Sequence, residues 1–284
     1  MRRGPLAVVM VALAACYQPE PPAACSIKCA GDGPCPAGLS CVDGICSSEP
    51  GECADEDFDL VINADDNCPG TPNPAIDGTQ RDDDGDDVGD ACDPHPSSPH
   101  DAIAAREFFN ATSFSDWLPD DPTAWTIEDG AAITPPETPQ VFSRLTLAAA
   151  PLQRPTVEAG ITIDAVGPEG RNNHVGVLLS VPSGATCYIE EDAPGSNSDL
   201  TLEIDSSVVG TEGLTAITSG SPLVFRFTRD TDQFRCALDH VPGPLEIVDA
   251  QPAPTEATAV PSIFVESIKA RIRYVVVYEY VPAS

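Results

Sequence analysis

Ile272-Arg-Tyr-Val-Val-Val-Tyr-Glu-Tyr280 is the stretch that decides the fold class. It consists almost wholly of β-branched and aromatic residues, which fit a pleated, half-buried surface better than a helix. Further runs of the same character precede it at Thr156–Ile163, His174–Val181, Thr186–Glu190, Leu200–Ile204, Leu223–Thr228 and Phe234–Leu238, with clusters of Gly, Pro, Asn and Asp between them. Many short strands without a helical period predict an all-β sandwich or barrel. Residues 104–284 are ample for one such domain.

Upstream, Pro94-His95-Pro96-Ser97-Ser98-Pro99 reads as a linker, residues 95–103, into that domain. Before it, residues 54–94 change character completely. The net charge of −31 is concentrated here: from Glu52 to Asp101 there are sixteen acidic residues and one basic residue, Arg81. Such a chain repels nucleic acid and anionic membrane surfaces. A bare acidic run is a solvated, disordered linker, but these carboxylates are spaced. Calcium asks for several oxygens on a loop that curls around it, with side chains at positions 1, 3, 5, 9 and 12 and a carbonyl at 7. Counting from Asp55, those positions hold Asp55, Asp57, Asp59, the Val61 carbonyl, Asn63 and Asp66. Counting from Asp82, they hold Asp82, Asp84, Asp86, the Val88 carbonyl, Asp90 and Asp93.

Asp66-Asn67-Cys68-Pro69, then Asn73-Pro74, then Asp84-Gly85-Asp86-Asp87-Val88-Gly89-Asp90-Ala91-Cys92-Asp93 together resemble a thrombospondin type 3 repeat over residues 54–94. The resemblance implies an irregular segment wrapped around calcium and locked by disulfides. It makes Cys68 and Cys92 partners of each other or of neighbouring repeats. Two departures stand out. The family carries Gly at loop position 6, where this chain has Leu60 and Asp87, and Asp tolerates a left-handed backbone better than Leu. The second loop is therefore the better fit. The expected affinity is that of extracellular modules, about 10⁻⁴–10⁻³ M, and the expected role is a calcium-stiffened stalk.

Residues 25–53 hold Cys25, Cys29, Cys35, Cys41, Cys46 and Cys53 among Gly, Pro and Asp. With few large apolar residues, such a module depends on disulfides, and the sequence does not choose their pairing. Zinc is the alternative for a cysteine cluster, though no C-x-x-C pair is present. Cys35-Pro-Ala-Gly-Leu-Ser-Cys41-Val-Asp-Gly-Ile-Cys46 resembles the small cysteine-rich modules of bacterial surface lipoproteins.

The N-terminus agrees with that resemblance. Residues 1–15 carry Arg2, Arg3 and a short apolar run, shorter than the roughly 20 residues that span a bilayer, and read as a signal peptide. Leu13-Ala14-Ala15-Cys16 resembles the lipobox, which implies acylation of Cys16, cleavage before it and a lipid-anchored tether at 16–24; an ordinary signal peptide is the alternative. Tyr17, which is not acidic, favours the outer membrane, at its periplasmic face or the cell surface. Removing Cys16 from eleven cysteines leaves an even ten, and the remaining pair is Cys187 and Cys236. An exported chain keeps disulfides.

Within 104–284, residues 106–130 begin with an aromatic strand and reach Trp125-Thr-Ile-Glu-Asp-Gly130. With the final strand at Ile272–Tyr280, this arrangement resembles concanavalin A-like jelly-roll domains, laminin-G and glucanase relatives included. The resemblance implies a last strand beside the first; another β-sandwich is the alternative. Trp117 and Trp125 are the candidates for stacking on a glycan, unless both belong to the core. No complete catalytic set is present. Glu203-Ile204-Asp205 begins the Glu-x-Asp pattern of glucanases, but Ser207 or Val208 stands where the second Glu belongs, and Glu190-Glu191-Asp192 lacks the spacing. There is no Gly-x-Ser-x-Gly, and His174 and His240 read as surface or turn residues. The expectation is a non-enzymatic binding head for a glycan or an envelope protein, against a diverged glycosidase or a purely structural protein.

Overall fold

The computed structural model describes residues 25, 27–29, 35–42, 45–48 and 53–282, apart from 111–112, 115, 135–141, 169–171, 181–183, 192–197, 215–218, 232, 240–242 and 250–257. The signal segment 1–15, Cys16, the tether and His240 lie outside the described residues. The chain forms two compact units, Met1–Glu49 and Pro50–Ser284.

In the first unit, strands β1 (Ser40–Val42) and β2 (Ile45–Ser47) pair antiparallel. Disulfides join Cys29 to Cys41 and Cys35 to Cys46. Cys25 and Cys53 are oxidised too, so the six sulfurs of the cluster are all in disulfides. A zinc site needs thiolates, and none is left here.

The second unit contains no helix among its described residues. Its strands are β3 (Asp101–Glu107), β4 (Trp117–Pro119), β5 (Thr126–Glu128), β6 (Ala131–Ile133), β7 (Phe142–Leu147), β8 (Leu152–Gln153), β9 (Thr156–Val166), β10 (His174–Ser180) and β11 (Ala185–Glu191). They continue with β12 (Ser198–Ile204), β13 (Ser207–Leu214), β14 (Pro222–Arg229), β15 (Phe234–Asp239), β16 (Leu245–Asp249), β17 (Thr258–Glu266) and β18 (Ile268–Tyr280). One sheet runs β13-β12-β11-β10-β17-β7-β4, with β8 on β17; the other runs β16-β15-β14-β9-β18-β6-β5, with β3 on β18. The molecule is all-β, a jelly-roll β-sandwich.

Alternation places one face of each strand in the core. Ile161, Phe225, Phe227, Val275 and Val277 from one sheet meet Val175, Val177, Ile189, Leu200 and Ile263 from the other. Each contributes about 1.5–3 kcal/mol on burial. Cys187 of β11 is bonded to Cys236 of β15, so a covalent link crosses the two sheets. Tight hairpins rely on left-handed residues: Asp129 (φ 52°) and Gly130 (φ 69°) join β5 to β6, and Asp205 (φ 55°) and Ser206 (φ 59°) join β12 to β13. Positive φ at both central residues matches the right-handed twist of the flanking strands.

The structure moves two expected boundaries. Residues 95–103 are not wholly a linker, because β3 begins at Asp101 and pairs with β18 from Tyr280 to Val275. The strand near residue 106 precedes the aromatic pair Phe108 and Phe109 and does not contain it. Residues 54–94 are not a separate stalk either: they fold within the same compact unit as the sandwich.

Candidate metal centre

The acidic segment has no regular strand, only an isolated bridge between Ile76 and Thr79. Its order comes from side-chain oxygens capping backbone amides, and four of these hydrogen bonds recur at the same positions in both loops. The position 6 amide donates to position 1: Leu60 N to Asp55 Oδ2 and Asp87 N to Asp82 Oδ2, each 3.0 Å. The position 7 amide donates to position 5: Val61 N to Asp59 Oδ1 (2.9 Å) and Val88 N to Asp86 Oδ1 (3.1 Å). The position 2 amide donates to position 9: Glu56 N to Asn63 Oδ1 (3.0 Å) and Asp83 N to Asp90 Oδ1 (2.8 Å). Position 12 accepts from the amide two residues on: Cys68 N to Asp66 Oδ1 (2.7 Å) and His95 N to Asp93 Oδ1 (2.6 Å).

Both loops also turn left-handed at positions 4 and 6. Phe58 (φ 64°) and Leu60 (φ 78°) do so in the first loop, Gly85 (φ 82°) and Asp87 (φ 73°) in the second. Left-handed backbone costs a residue with Cβ about 1–2 kcal/mol, which Gly avoids and Asp partly offsets. The first loop thus adopts the geometry that Leu60 disfavours, and the expectation that it would fit less well is not reflected in its backbone.

The turns aim carboxylates inward. Oxygens of Asp55, Asp57 and Asp59 lie within 4.8 Å of one another, as do those of Asp82, Asp84 and Asp86. Several of these oxygens are sealed from solvent and accept no hydrogen bond: Asp57 Oδ2 and Asp66 Oδ2 in the first loop, both oxygens of Asp84 and Asp93 Oδ2 in the second. Positions 3 and 12 are therefore the orphaned ones in each loop. A buried carboxylate without a partner is costly, and a hard divalent cation with oxygen preference supplies the missing partner. The side chains at positions 1, 3, 5, 9 and 12 would hold calcium, which would neutralise their mutual repulsion. Without a cation, burial and then the neighbouring Asp66, Asp59 and Asp55 push the Asp57 carboxyl up to about 7. Burial, with Asp101 beside it, pushes Asp93 up to about 7 as well.

Two members of this constellation are absent from the two loop registers. Asp101 opens β3, is 4% exposed, and forms a third cluster with Asp86 and Asp93. Its amide donates to Asp86 Oδ2 at 2.7 Å, and His95 Nδ1 lies 2.9 Å from its Oδ2. Gln80 is a second such residue: its Nε2 donates to Asp66 Oδ1 (2.7 Å), Asn73 Oδ1 (2.8 Å) and Asp59 Oδ2 (3.2 Å). Only an acidic count hinted at Asp101, and nothing in the spacing pointed to Gln80.

The segment is docked on the outer face of β18, β9 and β14. Cys68 is bonded to Cys92, and that pair packs with Val88 against Tyr274, Val276 and Tyr278 in a second apolar cluster. Tyr274 Oη donates to the Gly70 carbonyl at 3.0 Å. A Cβ on Gly70 would stand 2.2 Å from Glu158 Oε1 and 2.4 Å from Tyr274 Cε2, so only Gly permits this approach. Glu158, fully buried, accepts from Arg226 Nη2 (2.6 Å) and Thr71 Oγ1 (3.1 Å). Arg106 Nη1 reaches the Asn63 carbonyl at 2.8 Å, and Arg273 Nη1 reaches Glu56 Oε1 at 3.1 Å.

The tryptophan candidates are corrected. Trp117 is 0% and Trp125 3% exposed, both in the main core, and Trp125 Nε1 donates to Ser143 Oγ at 2.8 Å. Neither indole face is free to stack on a sugar. Glu203 lies on β12, but Asp205 has left the strand for the hairpin turn, so the two do not share a strand face. His174 sits between Glu190 Oε1 (3.4 Å) and Glu266 Oε2 (3.5 Å), across three neighbouring strands.

No protein-family model matches the chain, and no curated protein matches it. Among solved structures it is similar to the CBM2 module of Lactobacillus casei BL23 phage J-1 evolved Dit, at 10% identity and TM-score 0.49, over 65% of this chain and 98% of that one. It is similar to lectin II from Ulex europaeus at 10% identity and TM-score 0.48, over 64% and 100%. It is also similar to Bacteroides ovatus Xyloglucan PUL GH43B at 11% identity and TM-score 0.46, over 62% of this chain but only 39% of that one. These likenesses assign neither a family nor a ligand.

Proposed function

We propose that this chain is an exported envelope lipoprotein, acylated at Cys16, in which calcium cements an acidic collar onto a β-sandwich binding head. The observation that carries the reading is the recurrence of sealed, unpartnered carboxylate oxygens at positions 3 and 12 of both loops. Calcium there acts structurally, satisfying buried charge. The thrombospondin type 3 resemblance of residues 54–94 supports the same reading, with the segment lying along a sheet and not standing free.

Calorimetry of the chain from residue 17 onward should show saturable calcium binding at about 10⁻⁴–10⁻³ M. Absence of heat at millimolar calcium would end the calcium reading. Acylation has its own check. In chelator, Cys16→Ser should move the protein from the membrane to the soluble fraction, and retention in the membrane would refute it.

A glycan or protein ligand of the head would be met on the outer face of the other sheet. There Phe142 stacks on Phe264 (5.6 Å), and Phe264 meets Tyr188 edge-on (6.1 Å) beside the Glu190, His174 and Glu266 row. Phe142 is 45% exposed. Saturable binding on a glycan array that Phe142→Ala abolishes would establish this face as the ligand site, and unchanged binding would exclude it.

A further inference from the structure

The two loops share a backbone and differ in what they hang on it. At the left-handed positions 4 and 6 the second loop carries Gly85 and Asp87, residues suited to that geometry. The first carries Phe58 and Leu60, which are not, and both side chains project into solvent at 82% and 89% exposed. Packing does not explain them, since they touch no core. Backbone preference does not explain them either, since it opposes them. Non-glycine residues held in such conformations without a local gain mark functional positions.

We propose that Phe58 and Leu60 are a calcium-dependent membrane-docking tip that inserts into a phospholipid surface. The inference rests on the calcium reading above. The carboxylates of Asp55, Asp57 and Asp59 converge inside the loop while its apolar side chains point out. Empty of cation, this loop is strongly anionic and is repelled by an anionic leaflet. Loaded, it loses two of the negative charges that its four ligand carboxylates, Asp55, Asp57, Asp59 and Asp66, carry, so the repulsion weakens, and a cation sits in the loop that bears the two apolar tips, where a lipid phosphate can meet it. A shape-matched protein partner needs roughly 800 Å² on each side, which two isolated side chains do not supply. Fluid acyl chains need no such match, and Phe and Leu are suited to the headgroup and acyl boundary. The lipid on Cys16 would hold the loop at high effective concentration near a bilayer, so a modest insertion energy suffices.

The test is co-sedimentation of the secreted chain carrying Cys16→Ser with vesicles of phosphatidylethanolamine and phosphatidylglycerol, paired with calcium calorimetry on the same samples. The parent should sediment in millimolar calcium and remain in solution in chelator. The Phe58→Gly, Leu60→Gly double variant should keep its calcium heat and lose roughly tenfold or more in vesicle partitioning. Glycine suits the backbone at both positions, so misfolding would not explain the loss. A parent that binds calcium but stays in the supernatant overturns the docking tip and leaves the calcium reading intact. A parent that shows no calcium heat overturns both. A double variant that sediments like the parent shows that apolar insertion is not involved. Calcium-dependent self-association that the double variant abolishes, without vesicle binding, would make the tip a protein contact instead.

Discussion

The first acidic loop, from Asp55, and the second, from Asp82, use the same four side-chain-to-amide hydrogen bonds and the same two left-handed turns. They differ in surroundings and in surface. The second loop leads through Asp86, Asp93 and Asp101 into β3, and its Val88 is buried against β18. The first is tied by Arg106 and Arg273 and exposes Phe58 and Leu60. One backbone solution therefore serves two purposes: the second loop fastens the segment to the sheet, and the first presents a tip. The lesson is that a ligand-loop register sets the path of the chain but leaves the outward positions open to other uses.

The largest expected effect comes from uncoupling the loops. Cys68→Ser with Cys92→Ser opens a span of 24 residues, and chain entropy alone puts the loss near 3 kcal/mol. In a denaturant titration it should lower the midpoint and separate the calcium responses of the two loops; a variant as stable as the parent would show that the loops are held independently of that bond. Next, Asp57→Asn and Asp84→Asn each remove the carboxylate at position 3. Each should weaken calcium at its own loop by roughly tenfold or more, but only Asp84→Asn should also lower thermal stability in calcium appreciably. Equal thermal losses would break the division of roles between the two loops.

The pH dependence follows from Asp57 and Asp93. Both carboxyls lie raised to about 7 in the folded, cation-free protein, from the ordinary aspartate value of 3.8. The folded state then binds more protons than the unfolded chain between about pH 4 and 7, so cation-free stability falls as pH rises through that window. Saturating calcium should remove or reverse the slope, because the metal displaces those protons. Urea midpoints at pH 5 and pH 7.5, with and without calcium, decide it, and parallel slopes in both conditions would contradict the assignment. The smallest effect concerns strain. Leu60→Gly should stabilise by about 0.5–1 kcal/mol, the left-handed cost less the added freedom of the unfolded chain. Asp87→Gly should gain less, because Asp already tolerates the turn. A loss of stability in Leu60→Gly would mean that the leucine makes a contact of its own.

Much of this was legible from residue types and intervals. The long runs that begin at 156, 174, 223 and 272 coincide with β9, β10, β14 and β18, because sustained β-branched and aromatic content over many residues leaves few other structures. The short strands β4, β5, β6 and β8 have two or three residues each, too few for alternation to register, and Trp117 in β4 was accordingly open to two readings. β17 was hidden by Pro261, which speaks against a central strand. The structure nevertheless places Pro261 within the strand, opposite Leu179 of β10 and one residue before the pairing with β7 begins at Ser262. β13 escaped notice as an exposed edge strand interrupted by Gly210 and Gly213. The aspartate register located the loop ligands, whereas Asp101 and Gln80 join the cluster only once the segment has folded onto the sheet, which linear spacing does not encode.

Strand β18 pairs with β9 on one side and with β3 and β6 on the other, and it also carries Tyr274, Val276 and Tyr278, on which the acidic segment rests. It is the last strand of the sandwich in chain order, whereas the acidic segment comes before all of the others. During synthesis, then, both the sheet and the seat for the collar stay incomplete until residues 268–280 have been made. The same arrangement that joins collar and head also sets a schedule: the acidic segment has no platform on which to mature early, and its docking is held back until β18 emerges.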